Sequence, residues 1–271
     1  MSIAKNADIS YSESTMEKRI RGILFDKDGT LFNYGEVWGS VIDNMLRANI
    51  PMDRLSDERK EQCLHEFEVV IGVDRNGCSY SDGILFRHNN IPMAILRILR
   101  ICLKYFLNIY KVIKAVMLLM KRSDYGVEEK IKKMNFSDVR RVFRAAKDRG
   151  MIIGIVTNDI RRSTNLFIER MGVEDLISFV RCGDSECRKK PNPEAIHQFC
   201  EEYEITEEEV AVVGDTLIDM EFARNGKVGY SIALLSGSGD KDALEKTASI
   251  VYPELIDIIS DPVLFPKKKQ C

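Results

Sequence analysis

Two rhythms of apolar positions divide the 271-residue chain. From Ser137 onward, short continuous apolar runs alternate with segments whose apolar residues recur every three or four positions. The runs Met151–Val156 (MIIGIV), Ser178–Cys182, Glu209–Val213 (EVAVV), Val228–Leu235 and Ser249–Tyr252 read as strands. The periodic segments predict helices over Arg161–Met171, Pro193–Tyr203 and Leu217–Arg224, and another from Ser137, as its cap, through Arg149. Gly150 and Gly172 close two of these helices. Near-continuous apolar strands belong to sheets covered on both faces, and strand–helix alternation with short connections implies parallel strands. One more strand stands apart near the N-terminus, inside Gly22–Phe32 (GILFDKDGTLF). Between it and Ser137 the pattern is helical, over Val37–Ala48 and Glu58–Val70, and Asn76–Gly77 in Gly72–Asp82 is a tight-turn signal. The predicted fold is α/β: a doubly wound, Rossmann-like parallel sheet (20–32 and 137–262), interrupted after its first strand by a mainly helical insertion (33–136).

Ile91–Met120 departs from the ordinary amphipathic pattern. It is strongly apolar, yet Arg97, Arg100, Lys104, Lys111 and Lys114 interrupt it, and no Asp or Glu occurs between Gly83 and Ser123. At about 100° per residue these five cations share an arc of roughly 100°, one basic stripe on a greasy helix or helix pair. A membrane span needs about 20 predominantly apolar residues, and centrally placed cations argue against one. Three readings stay open. A helical subdomain could bury its apolar faces and turn the stripe toward an anionic ligand or water. The segment could instead be a self-association surface, making a homodimer of the monomer, or it could dock on an anionic membrane surface.

Composition narrows the class of protein. A formal net charge of −2 gives no general attraction to nucleic acid. The cysteines Cys63, Cys78, Cys102, Cys182, Cys187, Cys200 and Cys271 lack paired zinc-ligand spacing and read as reduced thiols of a cytoplasmic protein. Residues 1–19 are polar, without the apolar core of a signal peptide, and are expected to be a loose tail of a protein not exported by that route. Residues 263–271, ending Lys267–Lys268–Lys269–Gln270–Cys271, form a basic tail.

The chemistry gathers at predicted strand ends. Asp26 and Asp28 follow the first strand, and residues i and i+2 of an extended chain point the same way, so both face one site. Like charges that close need a cation, a shared proton or diverging orientations. Thr157, Asn158 and Asp159 follow the next core strand, Lys189 and Lys190 lie beyond the third, and Asp215, Thr216 and then Asp219 follow the fourth. Each alone has an ordinary explanation as a cap, a turn or a solvated loop. Parallel strand ends converge on one crevice, however, and the set would place four carboxylates, one or two lysines and a hydroxyl there. Excess carboxylate calls for a hard cation such as Mg²⁺, which takes few carboxylates plus waters and substrate phosphate. The lysine and hydroxyl suit the remaining phosphate oxygens.

In chain order, Asp26-Lys-Asp28-Gly-Thr30, Thr157 in VTND, Lys190 in KKPNP, and Gly214-Asp215-Thr216-Leu-Ile-Asp219 resemble the motifs of the haloacid dehalogenase superfamily. Within it, the chain is most similar to the phosphoglycolate phosphatase-like hydrolases. The resemblance covers Arg21–Phe32 and Ser137–Ser260 and implies that 33–136 is the family's helical cap domain. It implies a Mg²⁺-dependent phosphatase of a small phosphate monoester, phosphoglycolate-like or a sugar phosphate, working through an aspartyl-phosphate. Asp26 would be the nucleophile, and Asp28 would protonate the leaving alcohol and then activate water. Thr157 and Asn158 would hold phosphate oxygens and Lys190 would balance charge. Mg²⁺ would sit on Asp26, the Asp28 backbone carbonyl and Asp215, with Asp219 a further acid. Asp28 separates the chain from the dehalogenase, phosphonate-cleaving and ion-pump branches, which lack an aspartate there. Two alternatives remain: a hexose phosphomutase with the same core, and a catalytically retired core serving as an interaction module through its basic, apolar cap. Tyr34, Trp38, Arg75, Arg87, Arg97 and Arg100 are candidate substrate contacts, with Trp38 foremost.

Overall fold

The computed structural model describes residues 19–76, 83–84, 91–121, 131 and 134–266. Its sheet is built from β1 (Gly22–Phe25), β2 (Ile152–Val156), β3 (Phe179–Arg181), β4 (Val210–Gly214), β5 (Tyr230–Leu234) and β6 (Ile250–Tyr252). All neighbouring pairs are parallel, in the order β3–β2–β1–β4–β5–β6. The chain works outward from β1 on one side, then crosses back to β4 and works outward on the other. The strand order therefore reverses between β1 and β4, which opens a crevice above their carboxyl ends. Register delivers side chains to it: Phe25 lies level with Ile155 and Val213, so Asp26, Thr157 and Asp215 follow within two residues of that line.

Helices cover both faces of the sheet. Along β1, Ile23 and Phe25 join one apolar cluster with Phe143, Phe167 and Val213, while Leu24 joins another with Phe199, Val212 and Phe222. This period-two division is what a strand buried on both faces requires. The insertion consists, among the described residues, of α1 (Tyr34–Asn49), α2 (Asp57–Ile71), α3 (Ile91–Lys104) and α4 (Ile109–Lys121). The core helices are α5 (Ser137–Asp148), α6 (Arg161–Met171), α7 (Glu194–Tyr203), α8 (Leu217–Asn225) and α9 (Lys241–Thr247).

Helices α1–α4 bury a cluster of their own, with Leu46, Leu64, Phe67 and Val112 inside it. Trp38 packs against both this cluster and the large cluster of the sheet. An ion pair ties α1 to α2: Arg47, paired with Asp43 of its own helix at 2.8 Å, meets Glu61 at 2.7 Å, and Arg75 beyond α2 meets Glu61 and the buried Glu68. Arg75, one of the candidate contacts, is thus tied by ion pairs within the insertion. Arg87 and the Tyr34 side chain lie outside the described residues.

The structure revises several expectations. Ile91–Met120 lies in a helix pair, one of the two forms its pattern allowed, so its cations do not form one continuous stripe. Phe106 turns the chain with a left-handed φ of 53°, and the Asn108 side chain accepts the Lys111 backbone N–H at 3.1 Å, starting a second helix. Ser137 is not a cap but the first helical residue of α5; the Asn135 side chain accepts its N–H at 2.9 Å. Helix α1 begins at Tyr34, earlier than Val37, because Asn33 caps it by accepting the N–H groups of Gly35 and Glu36. The turn signal past Asn76, residues 1–18 and residues 267–271 lie outside the described residues. Cys63, Cys102, Cys182, Cys187 and Cys200 are free thiols. No helix among the described residues is long and apolar enough to cross a membrane.

Candidate active site

The chain leaves β1 through Asp26, whose backbone N–H donates to the Val213 carbonyl at 2.8 Å, continuing the β1–β4 ladder by one residue. The next side chain, Lys27, points the other way and is fully buried. Gly29 then turns with φ +92°, and a Cβ there would stand 2.3 Å from an Asp215 carboxylate oxygen. Gly237 approaches the same carboxylate so closely that its own Cβ would collide with it. Both glycines leave room for Asp215 where larger residues could not.

Two charged groups flank the end of β1. In the first, carboxylate oxygens of the buried Asp26, Asp215 and Asp219 lie within 4.8 Å of one another. Lys190 reaches into this group, donating to Asp26 at 2.5 Å and to Asp219 at 2.6 Å. Thr30 donates to one oxygen of Asp215 at 3.1 Å, and the Ser238 backbone N–H to the other at 2.9 Å. The second oxygen of Asp219 takes the Thr216 N–H and hydroxyl in a capping box that begins α8, at 3.0 and 2.6 Å. Asp219 is thus held at both oxygens, whereas Asp26 is held by Lys190 at one.

Three carboxylates around one ammonium leave an excess of negative charge in a buried place. Burial raises Asp26 well above the usual carboxylate range; Lys190 pulls it back, while Asp219, Asp215 and Asp28 push it further up. Asp215 is pushed up to about 7, first by burial and then by Asp219. For Lys190, burial works against the charge, but Asp219 and Asp26 outweigh it and hold the ammonium above its ordinary range. A divalent cation fits this donor set: three buried carboxylates with hard oxygens close together and an uncompensated charge.

The second group is closer to balance, with two carboxylates on one ammonium. Lys27 meets Asp28 at 2.7 Å and Asp159 at 2.9 Å, beneath the stacked rings of Phe32 and Phe167, whose centroids are 5.2 and 4.5 Å from its ammonium. Burial opposes the Lys27 charge, yet Asp28 and Asp159 hold it above its usual range. Asp28 is raised by burial, lowered by Lys27 and raised again by Asp159, ending above the ordinary carboxylate value. Thr157 adds a hydroxyl to this second group, 3.5 Å from Asp28 and accepting the Asp159 N–H at 3.0 Å.

The expected residues therefore come together, with two differences. The Asp28 carboxylate stands outside the three-acid cluster and is gripped at both oxygens by Lys27. The Asn158 side chain is committed to the main chain of Lys190, accepting its N–H at 3.0 Å and donating to its carbonyl at 3.1 Å. The Asn158 side chain thus supports Lys190. Lys27, Thr30, Asp159 and Ser238 carry roles that the sequence reading did not assign. Lys27 offered a signal, since alternation along the strand sends a residue between two site aspartates into the apolar layer. Ser238 offered none; only the fold returns its loop to Asp215.

A model of the haloacid dehalogenase-like hydrolase family matches residues 20–227. The chain belongs to this family. The hydrolase is 26% identical over 207 residues to the N-acetylmuramic acid 6-phosphate phosphatase of Pseudomonas aeruginosa, covering 76% of this chain and 78% of that protein. It is 30% identical over 90 residues to a phosphoglycolate phosphatase of Vibrio vulnificus, a match covering 33% of this chain and 40% of that one. Among solved structures, a predicted phosphoglycolate phosphatase from Haemophilus somnus shares the fold with a TM-score of 0.60 at 18% identity, over 89% of this chain and 97% of that one. A subfamily IA hydrolase of the superfamily from Geobacter sulfurreducens does so at 0.58 and 17%, over 89% and 95%. The subgroup that the motifs resemble is thus the one several of these relatives carry in their names.

Proposed function

We propose that this hydrolase is a phosphatase of small phosphate monoesters that works through an aspartyl-phosphate on Asp26. The observation that carries the reading is the unequal dressing of the two aspartates after β1. Asp26 keeps one oxygen free of Lys190 in a buried site with surplus negative charge, while Asp28 is fixed by Lys27 beside the Thr157 hydroxyl. Asp26 attacks phosphorus, and the ester oxygen leaves with a proton from Asp28, whose raised value lets it hold one. Asp28 then takes a proton from water as that water attacks phosphorus, which releases phosphate and restores Asp26.

Lys190 fixes the orientation of Asp26 and offsets charge as the phosphoryl group arrives. Asp26 and Asp215 would hold Mg²⁺, with Asp219 adding charge and holding Lys190; the bound cation would neutralise phosphoryl oxygens. Residues 33–136 serve as the cap over the crevice, with Trp38 at the junction of the two apolar clusters.

The test is phosphate release from a panel containing phosphoglycolate, N-acetylmuramic acid 6-phosphate and hexose phosphates, with the organic product identified. Release of inorganic phosphate supports the reading, and the preferred ester names the substrate class. Phosphate moved to another carbon of the same sugar identifies a mutase. A folded protein that transfers phosphate from no ester, yet binds Mg²⁺, is a retired core.

A further inference from the structure

The outer faces of α3 and α4 invert the usual distribution of a helical surface. Leu103 is 69% exposed, Phe106 93% and Tyr110 75%, and Met93, Ile95, Leu96, Ile113 and Met117 are also exposed. Buried positions lie opposite, at Ala94, Ile98, Ile101 and Cys102 of α3 and at Val112 and Ala115 of α4. Both helices thus use one apolar stripe for the cluster beneath and present a second one outward. At about 100° per residue, the cations flank the outward stripe on each helix: Arg97, Arg100 and Lys104 on α3, Lys111 and Lys114 on α4. Lys104 is paired with Glu66 of α2. Arg100, Lys111 and Lys114 make no ion pair among the described residues.

We infer that this face docks the protein on an anionic phospholipid surface, with α3 and α4 lying in the membrane plane. Apolar side chains enter the headgroup boundary, and the flanking lysines and arginine meet lipid phosphates. Charge complementarity selects this occupant. The stretch from Gly83 to Ser123 holds cations and no acid, so a second copy of the same face would oppose like charge to like. Over its described residues neither helix is long and apolar enough to span, and the attachment inferred is to the membrane surface. The inference is independent of the phosphatase reading, because vesicle binding is measured without turnover.

The test is co-sedimentation of the full chain with vesicles of phosphatidylcholine alone, or of phosphatidylcholine with phosphatidylglycerol, at low and high salt. The expected result is binding to the anionic vesicles that weakens as salt rises. Leu103→Glu with Phe106→Glu lowers partitioning about a hundredfold, since two large side chains no longer enter the boundary. Lys111→Gln with Lys114→Gln lowers it about twentyfold. Both double variants keep the circular dichroism of the parent and its turnover of a soluble ester. Absence of binding at low salt overturns the inference, as does equal binding to neutral vesicles or binding that neither double variant changes. A dimer in sedimentation that Leu103→Glu splits, in a protein that ignores vesicles, assigns the face to a second copy instead.

Discussion

The sheet's carboxyl edge and the outer face of the insertion treat charge and oil in opposite ways. At the edge of β1 and β4, aspartates and lysines are buried while the apolar residues around them are covered on every side. On α3 and α4, apolar residues face outward and cations stand beside them. Burying charge is costly unless each group is paired and hydrogen-bonded, so the crevice is retained for what it does there. Exposing large apolar side chains carries little penalty in the monomer but marks a surface that meets something else. The first region is where we place the reaction, and the second is where we place the membrane contact.

Four changes probe that contrast, beginning with the cation. Chelation is expected to lower phosphate release by at least about 10³-fold, with Mg²⁺ restoring it, because Lys190 alone cannot balance three acids. Turnover unaffected by chelator would remove the metal from the account. Lys27→Met tests the second group: Asp28 and Asp159 would lose the cation they share, at a cost of about 3 kcal/mol in denaturant unfolding. A loss below about 1 kcal/mol would show that water screens the two acids adequately.

The third change is pH. Asp215 stands at about 7 when folded, raised by burial and then by Asp219, against an unfolded value of about 3.9. Folding therefore favours its protonated form. Its contribution to stability is fully present below about pH 4 and is lost as pH rises through about 7. The metal-free protein should accordingly melt at progressively lower temperature across that interval, and saturating Mg²⁺ should flatten the slope. A metal-free slope of the opposite sign, seen by scanning fluorimetry, would contradict the assignment. The smallest effect belongs to the cap: Phe106→Gly relieves a left-handed backbone at a fully solvated position and should stabilise the protein by about 1 kcal/mol. Destabilisation would mean that the Phe106 ring is packed.

These two regions also differed in how far the sequence could be read. Strands and site residues of the core follow from local rules: buried strands are continuous apolar runs, and acids at their carboxyl ends share a crevice once the strands are parallel. Asp26, Thr157, Lys190, Asp215 and Asp219 converge for that reason. What local rules cannot supply is which partner a polar group chooses. Asp28 turned to its neighbour Lys27 because Phe32 and Phe167 bury that lysine beside Asp159. Asn158 turned to the Lys190 backbone across 32 residues of chain. In the insertion, periodicity located the helices and allowed 91–120 to be one helix or a pair, but the shared arc of its five cations holds only along an unbroken axis. The left-handed turn at Phe106 broke that axis, and only then did the outward apolar faces separate from the inward ones.

The central claim is that Asp26 carries the phosphoryl group. The most direct measurement compares phosphate release by the parent and by Asp26→Asn on the best ester of the panel, in saturating Mg²⁺. Asparagine fills the same space but is a poor nucleophile, so the account predicts a loss of about 10⁴-fold or more with the melting temperature maintained. A folded Asp26→Asn protein that releases phosphate at the parent's rate would contradict it.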